Sequence, residues 1–357
     1  MTKHMFAGAS TPDGFINFFD HILPLSMAKK RYFLKGSSGS GKSTFIKKVA
    51  TKFEALGVNC ERFHCANDIE SLDALFISDR GLCIIDATQP HSCDPQIPIA
   101  IDKIIDFAEF IDERKIVRHV DKIKALIQTK KILNEKAAGY LEAVGNIFRT
   151  KNKTYEAALK RDSLDIIIKK WLKLLDPHAA PNAYGIDRKM FLSAVTPDGF
   201  VSFSDSYFNG CKVYGLSCEI PAGASIFLNE LKTEANALGI NTESFYCPFA
   251  PDLLEYLHIP KMGLAFAKMG DRFSYHGAVY ERIDMSSCVD AMLLENIKSG
   301  MDLDNERVLF DSLLTVAVDS MSALRALHGD IEDIYLQTID FERVDEMTEK
   351  IIQEIFE

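Results

Sequence analysis

The sequence predicts an α/β protein built as two tandem three-layer units, each a parallel sheet between helices with a helical appendage. Three observations predict it. The chain of 357 residues repeats itself, its first half alternates strand and helix patterns, and a glycine-rich loop follows one of the strands. Such alternation implies parallel strands joined by crossover helices.

The repeat is read from four matches in one order. Met5-Phe6 with Thr11-Pro12-Asp13-Gly14-Phe15 recurs as Met190-Phe191 with Thr196-Pro197-Asp198-Gly199-Phe200. Ala55-Leu56-Gly57-Val58-Asn59 recurs as Ala237-Leu238-Gly239-Ile240-Asn241, an offset of 182. Phe63-His64-Cys65 matches Phe245-Tyr246-Cys247, and Gly81-Leu82 matches Gly263-Leu264. A duplicated unit follows. Residues 1–180 form the first, with appendage 97–175; residues 181–357 form the second, with appendage 289–356. The join is placed at 177–185, where Pro177, Pro181 and Asn182 suit a connector.

In the first unit, 5–9, 31–35, 62–66 and 82–87 read as strands. Residues 12–22, 42–57 and 68–77 carry helical spacing. Thr11 and Pro12 suit the start of a helix, as N-cap and first helical residue. Ile101, Ile104, Ile105, Phe107 and Ala108 give one further helical stripe, and Ile116, Val120, Ile123 and Ile127 another.

The loop is Gly36-Ser37-Ser38-Gly39-Ser40-Gly41-Lys42-Ser43-Thr44, the GxxxxGK[ST] pattern. Its glycines let successive N–H groups face phosphate oxygens, and the next helix adds its positive end. Lys42 reaches the β- and γ-phosphates, while Ser43 offers a hydroxyl to Mg²⁺. Leu82-Cys83-Ile84-Ile85-Asp86 is an apolar strand ending in a carboxylate, a second Mg²⁺ ligand. The cofactors expected are ATP and Mg²⁺; no NKxD-type guanine motif is present.

These motifs resemble the P-loop NTPase superfamily over residues 30–95. The loop is similar to those of uridine-kinase-type kinases and transporter ATPases. No LSGGQ-like signature accompanies it, residue 37 is Ser rather than the extra Lys of the MinD-like class, and Asp86 precedes Ala87 rather than a water-activating Glu. One strand between loop and Asp86 matches nucleoside-monophosphate kinases. The duplicated layout with Asp86-Ala87-Thr88-Gln89-Pro90-His91 resembles a bacterial family of tandem P-loop proteins described only as ATPases or nucleotide-kinase-related. The resemblance implies architecture and carries no substrate.

At the 182 offset Gly36 maps to Cys218, Lys42 to Ala224, Ser43 to Ser225 and Asp86 to Lys268. The second unit therefore reads as a degenerate copy, a packing partner in an intramolecular pseudo-dimer. The sharper alternative has it supply groups to the first site, with Lys268 as the candidate.

Beyond the nucleotide, Asp68 is a candidate general base for an acceptor hydroxyl, or a structural cap. His91 is a candidate for orienting water or acceptor. Arg114 and Arg118 are candidates for a lid over the phosphates, against the plainer reading of a solvated helix face. His64, Cys65, His91 and Cys93 stand in two short pairs that could meet at a metal.

The function expected is phosphoryl transfer by a small-molecule or nucleotide kinase-like ATPase with an unknown small-molecule acceptor. A nucleotide-switched interaction protein with slow hydrolysis is the alternative, and a nucleic-acid-associated ATPase a weaker one. Eight cysteines without a CxxC pair, no apolar run of ~18 residues and no signal-like start point to the cytoplasm and away from a membrane. The net charge of −10 argues against a nucleic-acid partner. It conceals an asymmetry. Residues 1–180 hold 28 Lys plus Arg against 22 Asp plus Glu, whereas 181–357 hold 13 against 29. A polyanionic partner stays open for the first unit alone.

Overall fold

The computed structural model describes residues 2–91, 93–175 and 184–356; the expected join lies mostly outside them. The first unit runs β1 (Lys3–Met5), β2 (Gly8–Thr11), β3 (Gly14–Asn17), β4 (Lys30–Lys35), α1 (Lys42–Ala55), β5 (Glu61–Cys65), β6 (Asp68–Ile77), β7 (Leu82–Asp86) and β8 (Asp102–Asp106). Its helices continue as α2 (Glu113–Ile116), α3 (Val120–Glu156) and α4 (Arg161–Leu172). The second runs β9 (Asp187–Met190), β10 (Ser193–Thr196), β11 (Gly199–Ser202), α5 (Ser204–Tyr207), β12 (Lys212–Ser217), α6 (Pro221–Ala237), β13 (Thr242–Cys247), β14 (Ala250–Ile259), β15 (Leu264–Met269) and β16 (Glu281–Asp284). Helices α7 (Ala291–Ser299), α8 (Leu303–Leu336) and α9 (Phe341–Phe356) close it.

The two sheets have one topology. The first is ordered β1-β5-β6-β7-β4-β8 and the second β9-β13-β14-β15-β12-β16. The repeat seen in sequence is thus a repeat of fold. The units meet where Phe6 and Phe191, the same position of the repeat, exchange backbone hydrogen bonds of 2.9 and 3.0 Å. One core crosses that junction, joining Phe33 and Phe63 to Phe245 and Tyr256. Arg188 spans it too, donating to Glu61 at 2.6 Å and to Glu243 at 2.7 Å.

Three expectations of local structure are corrected. The sheets are mixed, because residues 68–77 form β6, antiparallel to both β5 and β7. Its apolar residues fit a helical period, but residues 72–77 are a continuous buried run suited to a central strand. Residues 12–22 hold no long helix. Thr11-Pro12-Asp13-Gly14 turns the hairpin of β2 and β3, with Gly14 at φ 95° and the Thr11 hydroxyl donating to the Gly14 carbonyl at 2.8 Å. Thr196 and Gly199 repeat that turn at 2.9 Å. The stripe at 101–108 is β8 followed by a short 3₁₀ turn.

The appendages are exchanged. Ile351 and Ile352 of α9 are buried with Phe45, Val49 and Phe53 of the first unit. Leu164 and Ile168 of α4 are buried with Leu216, Phe227 and Leu231 of the second. Long helices α3 and α8 make this crossing, packed together through Leu141, Val144, Ala317 and Met321. α3 passes so close to the first hairpin that a side chain on Gly145 would collide with Pro12. No helix among the described residues is long and apolar enough to cross a membrane.

Candidate functional site

The glycine loop leaves the C-terminal end of β4 and enters α1. Three backbone positions need glycine, with φ of 145° at Gly36, 71° at Gly39 and 95° at Gly41. At Gly36 there is also no room, since an added Cβ would stand 2.8 Å from Cβ of Phe107. The loop curls around the Lys42 side chain, which is only 7% exposed. Lys42 donates to the carbonyls of Gly36 at 3.2 Å and Ser37 at 2.7 Å.

Asp86 is brought to the loop by register, because β4 and β7 pair in parallel with Leu34 opposite Asp86. Its carboxylate lies 3.7 Å from the Lys42 ammonium. Thr88 binds the two segments, donating its N–H to Asp86 at 2.9 Å and its hydroxyl to the Gly36 carbonyl at 3.3 Å. Ser40 closes the loop on the Ser37 carbonyl at 2.8 Å. The Ser37 hydroxyl is buried without a partner among the described residues. Ser43 accepts from the Leu72 N–H at 3.0 Å, and Ser225 accepts from Leu254 at 2.9 Å in the second unit. Ser43 therefore has a structural duty that outlives the loop sequence. Thr44 faces outward on α1.

Behind Asp86 lies a cluster that joins two of the four expected metal-site candidates, Cys65 and His91, to a carboxylate the sequence analysis did not name, Asp73. Asp73 of β6, Cys65 at the end of β5 and His91 place their ligand atoms within 4.8 Å of one another. His91 Nε2 is 3.3 Å from Asp73, and its ring stacks on Phe19 at 4.8 Å. Burial lowers the His91 pKa to about 4, so the ring is neutral. Burial, reinforced by the Asp86 charge, pushes the Asp73 carboxyl well above the usual range. The spacing of residues 68–77 predicts a helix, which hides Asp73 inside a buried strand. A strand reading of the apolar run at 72–77 would have exposed a carboxylate inside it. His64 and Cys93 do not join the cluster. His64 bonds His4 at 2.8 Å and the Ile69 carbonyl at 2.7 Å, while Cys93 is buried in the shared core.

The loop is covered by the other unit. An added Cβ on Gly39 would stand 2.8 Å from Glu332 and 3.2 Å from Leu336, both on α8. His328, one turn earlier, bonds Ser38 at 3.0 Å and the Lys130 ammonium at 2.9 Å. An ammonium can only donate, so His328 Nδ1 accepts and Nε2–H donates to Ser38. Val344 of α9 approaches Gly41. Asp68 borders this group; burial, with the Asp68 charge beside it, raises the pKa of the Glu332 carboxyl. The Asp68 carboxylate accepts from Ser71 at 2.5 Å. Arg114 and Arg118 are exposed, and neither bonds the loop among the described residues. Where the sequence suggested an arginine lid, α8 is the cover.

The second unit answers the first residue by residue. Ala224 stands at the Lys42 position with 0% exposure, packed in the core. Lys268, at the Asp86 position, is 4% exposed and pairs with Glu255 at 3.4 Å and Asp271 at 2.9 Å within its own unit. It is not aimed at the first loop. A cleft of about 770 Å³ opens there, lined by Lys151, Cys218, Lys268, Arg272 and Arg307 among others.

No protein family, curated protein or solved structure compared with the chain matches it.

Proposed function

We propose that the first unit is a P-loop nucleotide site binding Mg-ATP, and that the chain is a kinase-like phosphotransferase or ATPase acting on an unknown small-molecule acceptor. The second unit is then a degenerate copy. The observation that carries this reading is the convergence of Lys42 and Asp86, 3.7 Å apart, at a loop bent by three positive-φ glycines. Such a loop before a helix is an anion cradle. The unpartnered Ser37 hydroxyl and a lysine held at the loop carbonyls suit phosphate as a ligand. Ser43 and Asp86 would hold Mg²⁺, which supplies charge neutralisation at the β- and γ-phosphates when bound. Asp68, whose charge acts on Glu332 and His328 beside the loop, is the candidate base for an acceptor hydroxyl. His91 sits behind Asp73 and serves to hold that carboxylate.

Calorimetry with Mg-ATP tests the site. Wild-type chain binds one nucleotide, and Lys42→Ala abolishes binding; retained micromolar affinity in the variant would sink the assignment. A metabolite screen for stimulated ADP release then separates kinase from hydrolase.

A second reading is favoured by one further observation. Helix α8 rests on the loop through Glu332 and Leu336, so phosphate entry and α8 position are coupled. This suits a nucleotide-switched protein whose long helices report the bound state. Slow turnover that a macromolecular partner alters would select it over the kinase.

A further inference from the structure

We propose that Cys65, Asp73 and His91 form a binding site for a zinc-class divalent ion beside the glycine loop. Three separate segments deliver these side chains: the end of β5, the middle of β6 and the loop after β7. Their ligand atoms already lie within 4.8 Å of one another. A tetrahedral ion with bonds of about 2.0–2.3 Å holds its donors about 3.3–3.8 Å apart. The His91–Asp73 separation of 3.3 Å already meets this, and the thiol needs to close by no more than about 1 Å. The His91 ring is held by its stack on Phe19, and its backbone N–H donates to the Thr88 carbonyl at 2.8 Å.

The donor set chooses the ion. One thiolate, one imidazole and one carboxylate suit zinc, whereas Mg²⁺ takes oxygen ligands. Three protein ligands leave a fourth position open. Binding displaces the Cys65 thiol proton, and the proton held by the buried Asp73 carboxyl, to solvent, so affinity rises with pH.

An independent observation comes from the second unit. Cys247 and Glu255 occupy the positions of Cys65 and Asp73, and there the protein supplies its own cation. The Lys268 ammonium lies 3.4 Å from Glu255, buried, and its charge acts on the Cys247 thiol. The first unit keeps the thiol and the carboxylate but has Asp86 in place of that lysine. The Lys42 ammonium, whose charge acts on Asp73, hydrogen-bonds the loop carbonyls of Gly36 and Ser37. The first unit also has His91 where the second unit has Phe273. A cation built into one half is matched by a ligand set in the other.

The site stands apart from the nucleotide reading, and its test needs no nucleotide. Chain stripped with chelator is titrated with Co²⁺ and then Zn²⁺. One equivalent of Co²⁺ should give thiolate-to-metal absorption, which Zn²⁺ displaces. Cys65→Ser should remove that absorption, and both Cys65→Ser and His91→Ala should weaken Zn²⁺ binding at least about 100-fold. Cys247→Ser and Lys42→Ala should leave it intact, which keeps the outcome distinct from failure of the ATP site. Unchanged thermal melts of apo Cys65→Ser show that folding is preserved. Absence of thiolate absorption in wild type, or its survival in Cys65→Ser, overturns the proposal.

Discussion

Glu332→Gln should tighten Mg-ATP binding. In the wild-type chain α8 lays a carboxylate against Gly39, where an added Cβ would be 3.3 Å from Oε1 of Glu332. A separation of about 5 Å between that charge and a phosphate in the loop is taken for the order of magnitude. Coulomb repulsion between unit charges at this distance is about 1 kcal/mol in a water-like medium and about 3 kcal/mol at an effective dielectric of 20. Glu332 is half-buried, so screening favours the lower figure. About 1 kcal/mol corresponds to roughly fivefold in Kd. Gln keeps the shape, so Leu336 still covers the loop and only the charge is tested. Calorimetry at low salt reads the effect, and added salt should shrink it. The pH dependence has a definite sign. Burial, with Asp68 and Asp333 nearby, raises the Glu332 carboxyl pKa. Its protonated fraction therefore grows as pH falls, and the advantage of the variant should fade in acid. Equal or weaker affinity in Glu332→Gln at neutral pH would refute the view that α8 opposes phosphate entry.

Three further outcomes are expected. Lys268→Met leaves Glu255 and Asp271 without their buried partner and should cost about 3–5 kcal/mol, read as a lower Tm; an unchanged Tm would contradict the pairing. Burial lowers the His64 pKa from 6.5 to about 4, so its contribution is whole above pH 6.5 and is lost as pH falls toward 4. That loss is about 2 kcal/mol by pH 5, and denaturant titrations of His64→Gln should show a flatter fall over this window. Residues 1–175 expressed alone lack α9 and leave Val49 and Phe53 uncovered. The missing burial of Val344, Ile351 and Ile352, about 5–9 kcal/mol, is comparable to a whole domain's stability. That fragment should not melt cooperatively until a 341–356 peptide is added; a cooperative melt without peptide argues against the exchange.

The glycine loop and Asp86 were legible because their signals are local. A strand, a turn needing positive φ and a helix start all lie within a few residues, and the repeat declared itself by identity. The hairpin at Thr11–Gly14 was misread because Thr-Pro-Asp-Gly suits both a helix start and a tight turn. Only the pairing of β2 with β3 decides between them. Residues 68–77 were misread because a short apolar run satisfies both periods, and Asp73 vanished from view with that misreading.

The amino-acid order by itself determined the duplication, the α/β class, the loop with its lysine, and which half kept them. Tertiary structure alone decided what covers what. The apolar face of α9 is plain in its sequence, but a hydrophobic face is non-directional and names no partner. Packing set it on α1 of the opposite unit and set α8 across the glycine loop. The same packing carried Cys65, Asp73 and His91 to one point from three segments, because strand register, which no local pattern records, fixes who stands beside whom.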